Sequence, residues 1–304
     1  MKRNSILPSI FFTASLLFLS AGFSFAASGL KIGVAKVKIT PEEPTILGGY
    51  THGTSALCNP ATDILDDIYC RIMVAEDGAG NREVFLSMDV CVYMESDYYD
   101  PYNGMGVWWP KTVPSGTTQR FADAGGVNLN RVFVSATHTH QASEQLADKY
   151  IQRIIDGINT AKNNLVDVNV GYTNATYDIN VNRRPDFGVH HDLESDKSLV
   201  VAIFRDASTN APVASMVNYS IHNTGIGVGG NGFNKCSSEL TGIAMNKIES
   251  NYGAGFVSFF IVGFEGDIGP NCYELPGAPY STVVSIGNTF GQDCTNILNG
   301  ISVL

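Results

Sequence analysis

Alternating and continuous apolar runs predict most of the regular structure of this chain. Residues Leu30–Thr40 alternate apolar and polar positions and stop at Pro41, the pattern of a half-exposed strand. Ile68–Ala75 and Glu83–Val90 are joined by a Gly- and Asn-containing turn and predict a β-hairpin. Further strands are predicted at residues 130–140, 168–172, 177–181, 198–205, 212–222 and 256–264, the last of them apolar enough for a central strand buried on both faces.

Helices are predicted between these strands. Apolar residues from Leu146 to Ile158 recur on one face of a helix that runs to about Leu165. Ser237 and Ser238 resemble a cap for a second helix over Leu240–Ile248. Beyond Asn271 the chain is punctuated by Gly and Pro, without an evident closing element. Strands outnumber helices, several strands follow one another as hairpins, and helices fall between other strands. This order predicts a mixed α/β (α+β) domain: a layered mixed β-sheet with flanking helices.

The first 26 residues have the pattern of a secretory signal peptide. Lys2 and Arg3 precede an apolar run, and the small residues Ser24 and Ala26 favour cleavage after Ala26. An uncleaved anchor is disfavoured because Ser, Gly and Thr interrupt the run, and no later segment has the roughly 20 apolar residues of a membrane span. We therefore expect a secreted or periplasmic protein whose mature domain covers residues 27–304.

The composition of the mature chain excludes some partners. Without Lys2 and Arg3, 17 basic residues remain against 29 acidic ones, a net charge of −12. Nucleic acids and anionic membrane surfaces attract basic patches, so neither is expected as a partner. The six cysteines are compatible with disulfides in an exported protein. Sequence alone cannot choose the pairing, although Cys58 with Cys70 and Cys272 with Cys294 would each close a short loop.

The predicted strand at residues 130–140 ends in two histidines spaced two residues apart, His138 and His140. Because side chains repeat every two residues along a strand, His138 and His140 would point the same way beyond the sheet edge. A third histidine, His222, also ends a predicted strand. Imidazole is a common zinc ligand, and a hydrolytic zinc site uses three protein ligands and an open position. His138 and His222 are therefore candidate zinc ligands, although a His-x-His motif alone fits a strand end bonded to loops equally well.

Other residues could complete such a site. His140 could transfer protons or orient a ligand, and Arg183 could clamp a substrate oxygen or carboxylate rather than form a surface ion pair. Asp267, in a Gly-rich turn, could orient an imidazole or cap the turn. Asp89, at a strand end, is either a loop cap or a site residue. Gly49 marks a place where the backbone can approach another group closely.

The ordered set of motifs resembles the N-terminal catalytic domain of neutral (non-lysosomal, alkaline) ceramidases. The shared blocks, in the same order, are Ile32–Pro41, Gly48-Gly49-Tyr50, the strand into Asp89, Ser135–His140, Asn182-Arg183, Ile221-His222-x-Thr224 and Gly266-Asp267-x-x-Pro270-Asn271. The resemblance implies a zinc amidohydrolase that cleaves the N-acyl bond of ceramide to fatty acid and sphingosine.

By position, the resemblance implies that His138 and His222 bind zinc, that His140 is an additional active-site histidine and that Arg183 is the active-site arginine. Asp267 is a further candidate catalytic residue. The candidate substrate-binding residues are Asp89, Asn271 and Gly49.

The chain departs from the family pattern at its carboxyl end. Gly269 replaces the serine of the family's Gly-Asp-x-Ser-Pro-Asn block, which is thought to assist the attack. The family's remaining zinc ligands, a Glu and a Tyr, lie farther along than Leu304, as does its immunoglobulin-like domain. We expect that the domain is incomplete at this end, that local residues such as Asp89 or Asp267 substitute for the missing ligands, or that catalysis is lost.

The leading hypothesis is an exported zinc hydrolase that cleaves ceramide or a related N-acyl lipid to a fatty acid and an amine, with water as nucleophile because Gly269 cannot supply one. The rival is a non-catalytic secreted protein that binds lipid or glycan through the aromatic-rich stretch at residues 91–126. A barrel of the amidohydrolase type is disfavoured, since barrels need alternating strands and helices.

Overall fold

The computed structural model describes residues 23–25, 29–49, 57–95, 113–184, 192–226, 234–272 and 278–303. Most of the expected signal peptide, and the aromatic residues from Tyr98 to Trp109, lie outside these residues. Within them, no helix is long and apolar enough to cross a membrane.

Thirteen strands and four α-helices make up the regular structure of the described residues. The strands are β1 (Phe23–Phe25), β2 (Lys31–Lys38), β3 (Thr45–Ile46), β4 (Leu57–Cys58), β5 (Tyr69–Glu76), β6 (Arg82–Met88), β7 (Val132–Ala136), β8 (Val166–Thr176), β9 (Asn180–Asn182), β10 (Ser198–Asp206), β11 (Pro212–Tyr219), β12 (Val257–Val262) and β13 (Ile268–Pro270). The helices are α1 (Thr117–Gly125), α2 (Asp148–Asn163), α3 (Glu239–Tyr252) and α4 (Tyr280–Asn299).

One large mixed sheet contains nine of these strands in the order β12-β11-β10-β8-β2-β5-β6-β7, with β1 added beside β8. Neighbours are antiparallel except for the parallel pairs β11 with β12 and β6 with β7 at the two ends. The remaining strands form two small antiparallel ladders, β3 with β4 and β9 with β13.

The large sheet folds over itself, so that its two halves face each other. Met73 of β5, Phe85 of β6 and Phe259 of β12 belong to one apolar cluster between the halves. A second apolar cluster lies between the β5–β6 hairpin and α2, where these elements pack together. A third lies between strands β10 and β11 and the helices α3 and α4. The resulting order of layers is helix, sheet, sheet, helix, which confirms the predicted layered α/β domain with flanking helices.

Polar contacts also join the two sheet halves. Arg71 of β5 is fully buried and donates hydrogen bonds to Asp89 and to Glu249 of α3, at 3.1 and 2.8 Å. The hydroxyl of Ser87 donates to the carbonyl of Phe260 at 2.8 Å. Buried charges need such partners because isolated charges are strongly disfavoured away from water.

Several expectations about individual elements need correction. Residues 256–260 are buried, as predicted, but Phe264 at the end of the predicted run is exposed. Strand β12 also ends the strand order, so α3 and the opposing half-sheet cover it instead of two neighbouring strands. The long helix α4 does close the chain after Asn271. Part of the stretch expected to be irregular forms α1. All six cysteines are present as thiols, so neither expected disulfide is formed.

Strand β1 bears on the expected processing site. Its three residues pair with Val170–Tyr172 of β8. Cleavage after Ala26 would remove β1 and leave this edge of β8 without that partner.

Candidate metal centre

His138 and His140 lie in the turn that follows β7. The strand ends at Ala136, earlier than predicted, and the backbone of His138 adopts a left-handed conformation with φ of 65°. The two imidazoles therefore come together through a turn and not through the repeat of an extended strand, which corrects the sequence-based geometry. A non-glycine residue held in this conformation costs on the order of 1–3 kcal/mol, and such residues cluster at functional sites.

His222 approaches from the opposite half of the sheet. It follows β11, and its backbone N–H donates to the carbonyl of Ile268 at 2.9 Å. Ile268 belongs to β13, which pairs with β9. Just beyond this ladder, the N–H of Arg183 donates to the carbonyl of Asp267 at 2.8 Å. Backbone hydrogen bonds thus fix the chain segments that carry His222 and Arg183 in one unit.

The three imidazoles form a compact cluster. The ring centroid of His138 lies 4.2 Å from that of His222 and 4.9 Å from that of His140, and His140 lies 5.3 Å from His222. Residues separated by more than 80 positions in the sequence are therefore brought together, as the motifs predicted.

Burial keeps these imidazoles neutral. It lowers the pKa of His138 to about 4, and burial together with the neighbouring His138 and the charge of Arg183 lowers the pKa of His140 and of His222. Neutral imidazole has a lone pair for a metal ion, whereas imidazolium does not. The electrostatic environment therefore favours the metal-binding form of all three rings.

Arg183 lies directly against this cluster. Its Nη2 atom is 2.7 Å from Nδ1 of His222. Because guanidinium can only donate, Nδ1 of His222 is the acceptor, and the proton of the neutral ring is on Nε2. The neighbouring Arg184 is exposed and donates to the carbonyl of Gly266 at 3.3 Å.

Glu265 is a component of the site that sequence reasoning missed. Its Oε1 atom lies 3.3 Å from Nδ1 of His138, and burial raises the pKa of its carboxyl to about 8. The only sequence signal was its position, immediately after a buried apolar run and two residues before Asp267. Cys91, which the sequence analysis treated only as a possible disulfide partner, is buried beside the same histidines.

Two groups of side chains are spaced to hold a metal ion. One consists of His138, His222 and Glu265, the other of Cys91, His138 and His140, and in each group the ligand atoms lie within 4.8 Å of one another. Nitrogen, oxygen and sulfur donors of these kinds all suit zinc. The donor set and its spacing therefore fit the metal that the family resemblance implies.

Gly49 packs against His140, as its flexible backbone suggested. A Cβ atom at position 49 would lie 2.4 Å from Cγ of His140, and the φ of Gly49 is 90°. Only glycine can therefore occupy this position without displacing the imidazole. Contact of Gly49 with a substrate stays a prediction.

The side chains of the other three predicted residues have different surroundings from those of the histidines. Asp89 is fully buried and accepts from Arg71, from the N–H of Tyr69 and from Thr137, an environment that favours a structural role. Asp267 is exposed, and its Oδ2 accepts from Asn182 at 3.1 Å; this contact supports a role in the turn. Asn271 is exposed after β13. Their expected roles in catalysis or substrate binding stay predictions.

An apolar cleft of about 500 Å³ opens beside the centre. It lies between the end strands β7 and β12, and both His138 and Glu265 contribute to its wall. The remaining lining residues are Phe85, Cys91, Val92, Tyr93, Phe133, Val134, Ser135, Ala136, Ile261 and Val262. Such a largely apolar surface with a few polar groups suits a hydrocarbon chain that carries a polar group.

The fold and this cluster define a layered α/β protein with a histidine-rich candidate metal centre. Its sequence is similar to neutral ceramidases, which confirms the resemblance inferred from the motifs. It is 25% identical over 293 residues to the neutral ceramidase of Drosophila pseudoobscura pseudoobscura, a match covering 84% of this chain and 38% of the relative. The neutral ceramidase of Drosophila melanogaster is 25% identical over 296 residues, covering 85% and 39% of the two chains.

Solved structures agree on the fold. The neutral ceramidase from Pseudomonas aeruginosa superposes with a TM-score of 0.64 at 20% identity, covering 90% of this chain and 44% of that one. A ceramidase complexed with C2 gives a TM-score of 0.65 at 19% identity, with the same coverage. No protein-family profile matches the chain. The chain spans less than half the length of these relatives.

Proposed function

We propose that this chain is a zinc-dependent amidohydrolase that cleaves the N-acyl linkage of ceramide or a related N-acyl lipid, giving a fatty acid and an amine. The observation that carries the proposal is the convergence of His138, His140 and His222, with ring centroids 4.2–5.3 Å apart, beside an apolar cleft. The similarity to neutral ceramidases supports the same substrate class.

Each residue has a distinct role in this proposal. His138 and His222 hold the metal, and zinc supplies Lewis-acid chemistry that activates water and polarises a carbonyl. His140, neutral and partly buried, accepts a proton from the attacking water and returns it to the leaving amine. Arg183 binds a substrate oxygen through its guanidinium group. The apolar wall between β7 and β12 binds the acyl chain and excludes water from it.

Export is part of the same proposal. We infer a signal peptide at residues 1–26 and a hydrolase domain at 27–304, from the charged start, the apolar run and the small residues before Ala27. Mass spectrometry of the exported protein should find an N-terminus at Ala27. An exported chain that still begins at Met1 would contradict cleavage.

The catalytic proposal is tested with fluorescently labelled ceramide and metal-free protein. Turnover should appear when one equivalent of zinc is restored, and His138→Ala and His222→Ala should each lose both zinc and turnover. Unchanged zinc content in either variant contradicts that ligand assignment. A protein that retains zinc but hydrolyses no N-acyl lipid, while binding it tightly, would instead be a lipid-binding relative without catalysis.

A further inference from the structure

We propose that Glu265 is the third protein ligand of the zinc site, completing a centre of two histidines and one carboxylate with His138 and His222. This assignment rests on the proposed function and deepens it.

The spacing of the donor atoms supports the assignment. For zinc bonds of about 2.0–2.1 Å in a tetrahedron, neighbouring ligand atoms lie about 3.3–3.4 Å apart. Oε1 of Glu265 and Nδ1 of His138 are 3.3 Å apart. The ligand atom of His222 lies within 4.8 Å of the other two ligand atoms. Movement of one side chain would therefore bring all three donor atoms to bonding distance of one zinc ion.

The second carboxylate oxygen also points to a cation. Oε2 of Glu265 is buried and, among the residues that the structure describes, has no hydrogen-bond partner. A buried polar atom without a partner is costly, and a bound cation removes that cost. Zinc accepts carboxylate oxygen as readily as imidazole nitrogen in hydrolytic sites.

Glu265 is also held firmly relative to His222. The N–H of Ile268 donates to the carbonyl of Glu265 at 3.0 Å, and the N–H of His222 donates to the carbonyl of Ile268 at 2.9 Å. Two consecutive backbone hydrogen bonds thus connect the two proposed ligands through one turn. Such backbone support helps to keep both side chains near the positions that a metal site requires.

The carboxylate set and its rival share His138 and access to the cleft, which Cys91 also lines, and they differ in His222. His138 and Glu265 both line the cleft, so a ligand bound there can reach a metal held between them. The rival set of Cys91, His138 and His140 leaves out His222, the histidine that backbone hydrogen bonds connect to Glu265.

The assignment is tested by zinc binding, independently of turnover, with the full chain and three variants. Glu265→Gln keeps the shape and removes the anionic oxygen. Cys91→Ser tests the rival set, and Glu194→Gln removes one negative charge from an exposed position as the matched control. Zinc content is measured by elemental analysis, and affinity by competition with a chromogenic chelator.

We expect about one zinc per wild-type chain, and at least about 100-fold weaker binding in Glu265→Gln, since even residues that merely support ligands contribute 10–100-fold. Cys91→Ser and Glu194→Gln should bind zinc like the wild type. Wild-type affinity in Glu265→Gln would overturn the third-ligand assignment while leaving the histidine site and the proposed function intact. A folded wild-type chain that binds no zinc would overturn both.

Cobalt substitution gives a readout that does not depend on folding of the variant. The wild-type cobalt protein should show visible ligand-field bands without an intense near-ultraviolet band from thiolate to cobalt. A strong thiolate band would place Cys91 on the metal and overturn the assignment. Circular dichroism of Glu265→Gln separates loss of a ligand from loss of the fold.

Discussion

Nη2 of Arg183 lies 2.7 Å from Nδ1 of His222, so an arginine occupies the lone pair of a proposed zinc ligand. If the metal binds Nδ1, Arg183 must leave. If the metal binds Nε2, the ring proton moves to Nδ1, which can then no longer accept from Arg183. Zinc binding therefore breaks this hydrogen bond in either case, and the released guanidinium becomes available to a substrate oxygen.

Replacing Arg183 should separate metal binding from turnover. A hydrogen bond to a charged group is worth about 1.5–3 kcal/mol, so its removal in Arg183→Met should tighten zinc binding by about tenfold or more. Hydrolysis of N-acyl lipid should fall at the same time, because the group that binds the substrate oxygen is gone. Chelator competition and a turnover assay measure the two effects.

Arg184→Gln is the matched control for this prediction, since Arg184 is the exposed neighbour on the same segment. Its zinc affinity and turnover should stay close to the wild-type values. Equal or weaker zinc binding in Arg183→Met would show that Arg183 supports His222 as a ligand and does not compete for it.

Gly49 should be irreplaceable for a steric reason. In Gly49→Ala the new Cβ would lie 2.4 Å from Cγ of His140, at a φ of 90° that alanine rarely adopts. The backbone strain alone costs roughly 1–2 kcal/mol. The imidazole must also move, so we expect turnover to fall well beyond the loss of stability. Urea unfolding and a turnover assay on the same samples measure both.

Gly80→Ala provides the control for strain without a clash. Gly80 has a φ of 80°, and a Cβ there would meet nothing within 4 Å. It should lose similar stability, roughly 1–2 kcal/mol, and keep full turnover. If both alanine variants lost turnover equally, the contact between Gly49 and His140 would have no catalytic importance.

Local patterns predicted most strands and the convergence of the three histidines, because apolar periodicity and strand ends are encoded in neighbouring residues. The closing helix α4 was missed since its sequence is rich in Gly, Thr and Asn, and its apolar residues gain their burial only by packing on α3. The left-handed turn at His138 was also missed. Nothing in the local sequence distinguishes such a turn from a longer strand.

Glu265 and Asp89 show why candidate sites were harder to predict than strands. Both are acidic residues at or just beyond the ends of apolar runs, and the sequence does not say which one faces the histidines. The partner of Asp89 is Arg71, a residue hidden in a strand pattern that otherwise reads as apolar core. Only the folding of the sheet over itself decides which carboxylate lies near the cluster.

Asp89→Asn tests whether Asp89 is structural. Removing one partner from a buried ion pair costs about 3–5 kcal/mol, so this variant should be much less stable to urea. Glu76→Gln, which removes the partner of the partly exposed Arg82, should change stability by less than about 1 kcal/mol. Turnover per folded molecule should survive in both. A raised KM with unchanged stability would instead support the substrate-binding role.

Glu239 should make the stability of the fold depend on pH. The residue is fully buried at the start of α3, where its Oε2 accepts from the N–H of Ile226 at 3.1 Å. Burial, with the nearby charge of Asp66 adding to it, raises its pKa to about 8. The hydroxyl of Tyr280 donates to Asp66 at 2.7 Å, and Tyr280 also lies within electrostatic range of Glu239.

The direction in which pH changes the stability follows from the number of protons that each state binds. Between the unfolded pKa near 4.5 and the folded value near 8, the folded state holds a proton that the unfolded state has released. Stability therefore falls as pH rises through this window, and below it Glu239 contributes no pH dependence. Glu239→Gln keeps the neutral shape, so it should be more stable than the wild type by roughly 2–4 kcal/mol at pH 8 and about equal at pH 4.

Urea unfolding of both proteins at several pH values, under identical metal conditions, measures this difference. Glu194→Gln serves as the control because its carboxylate is exposed, and its stability should follow the wild-type curve. Parallel curves for wild type and Glu239→Gln across the whole range would mean that Glu239 is charged in the folded protein. In that case a cation or a relaxed N-terminal turn of α3 would have to stabilise the charge.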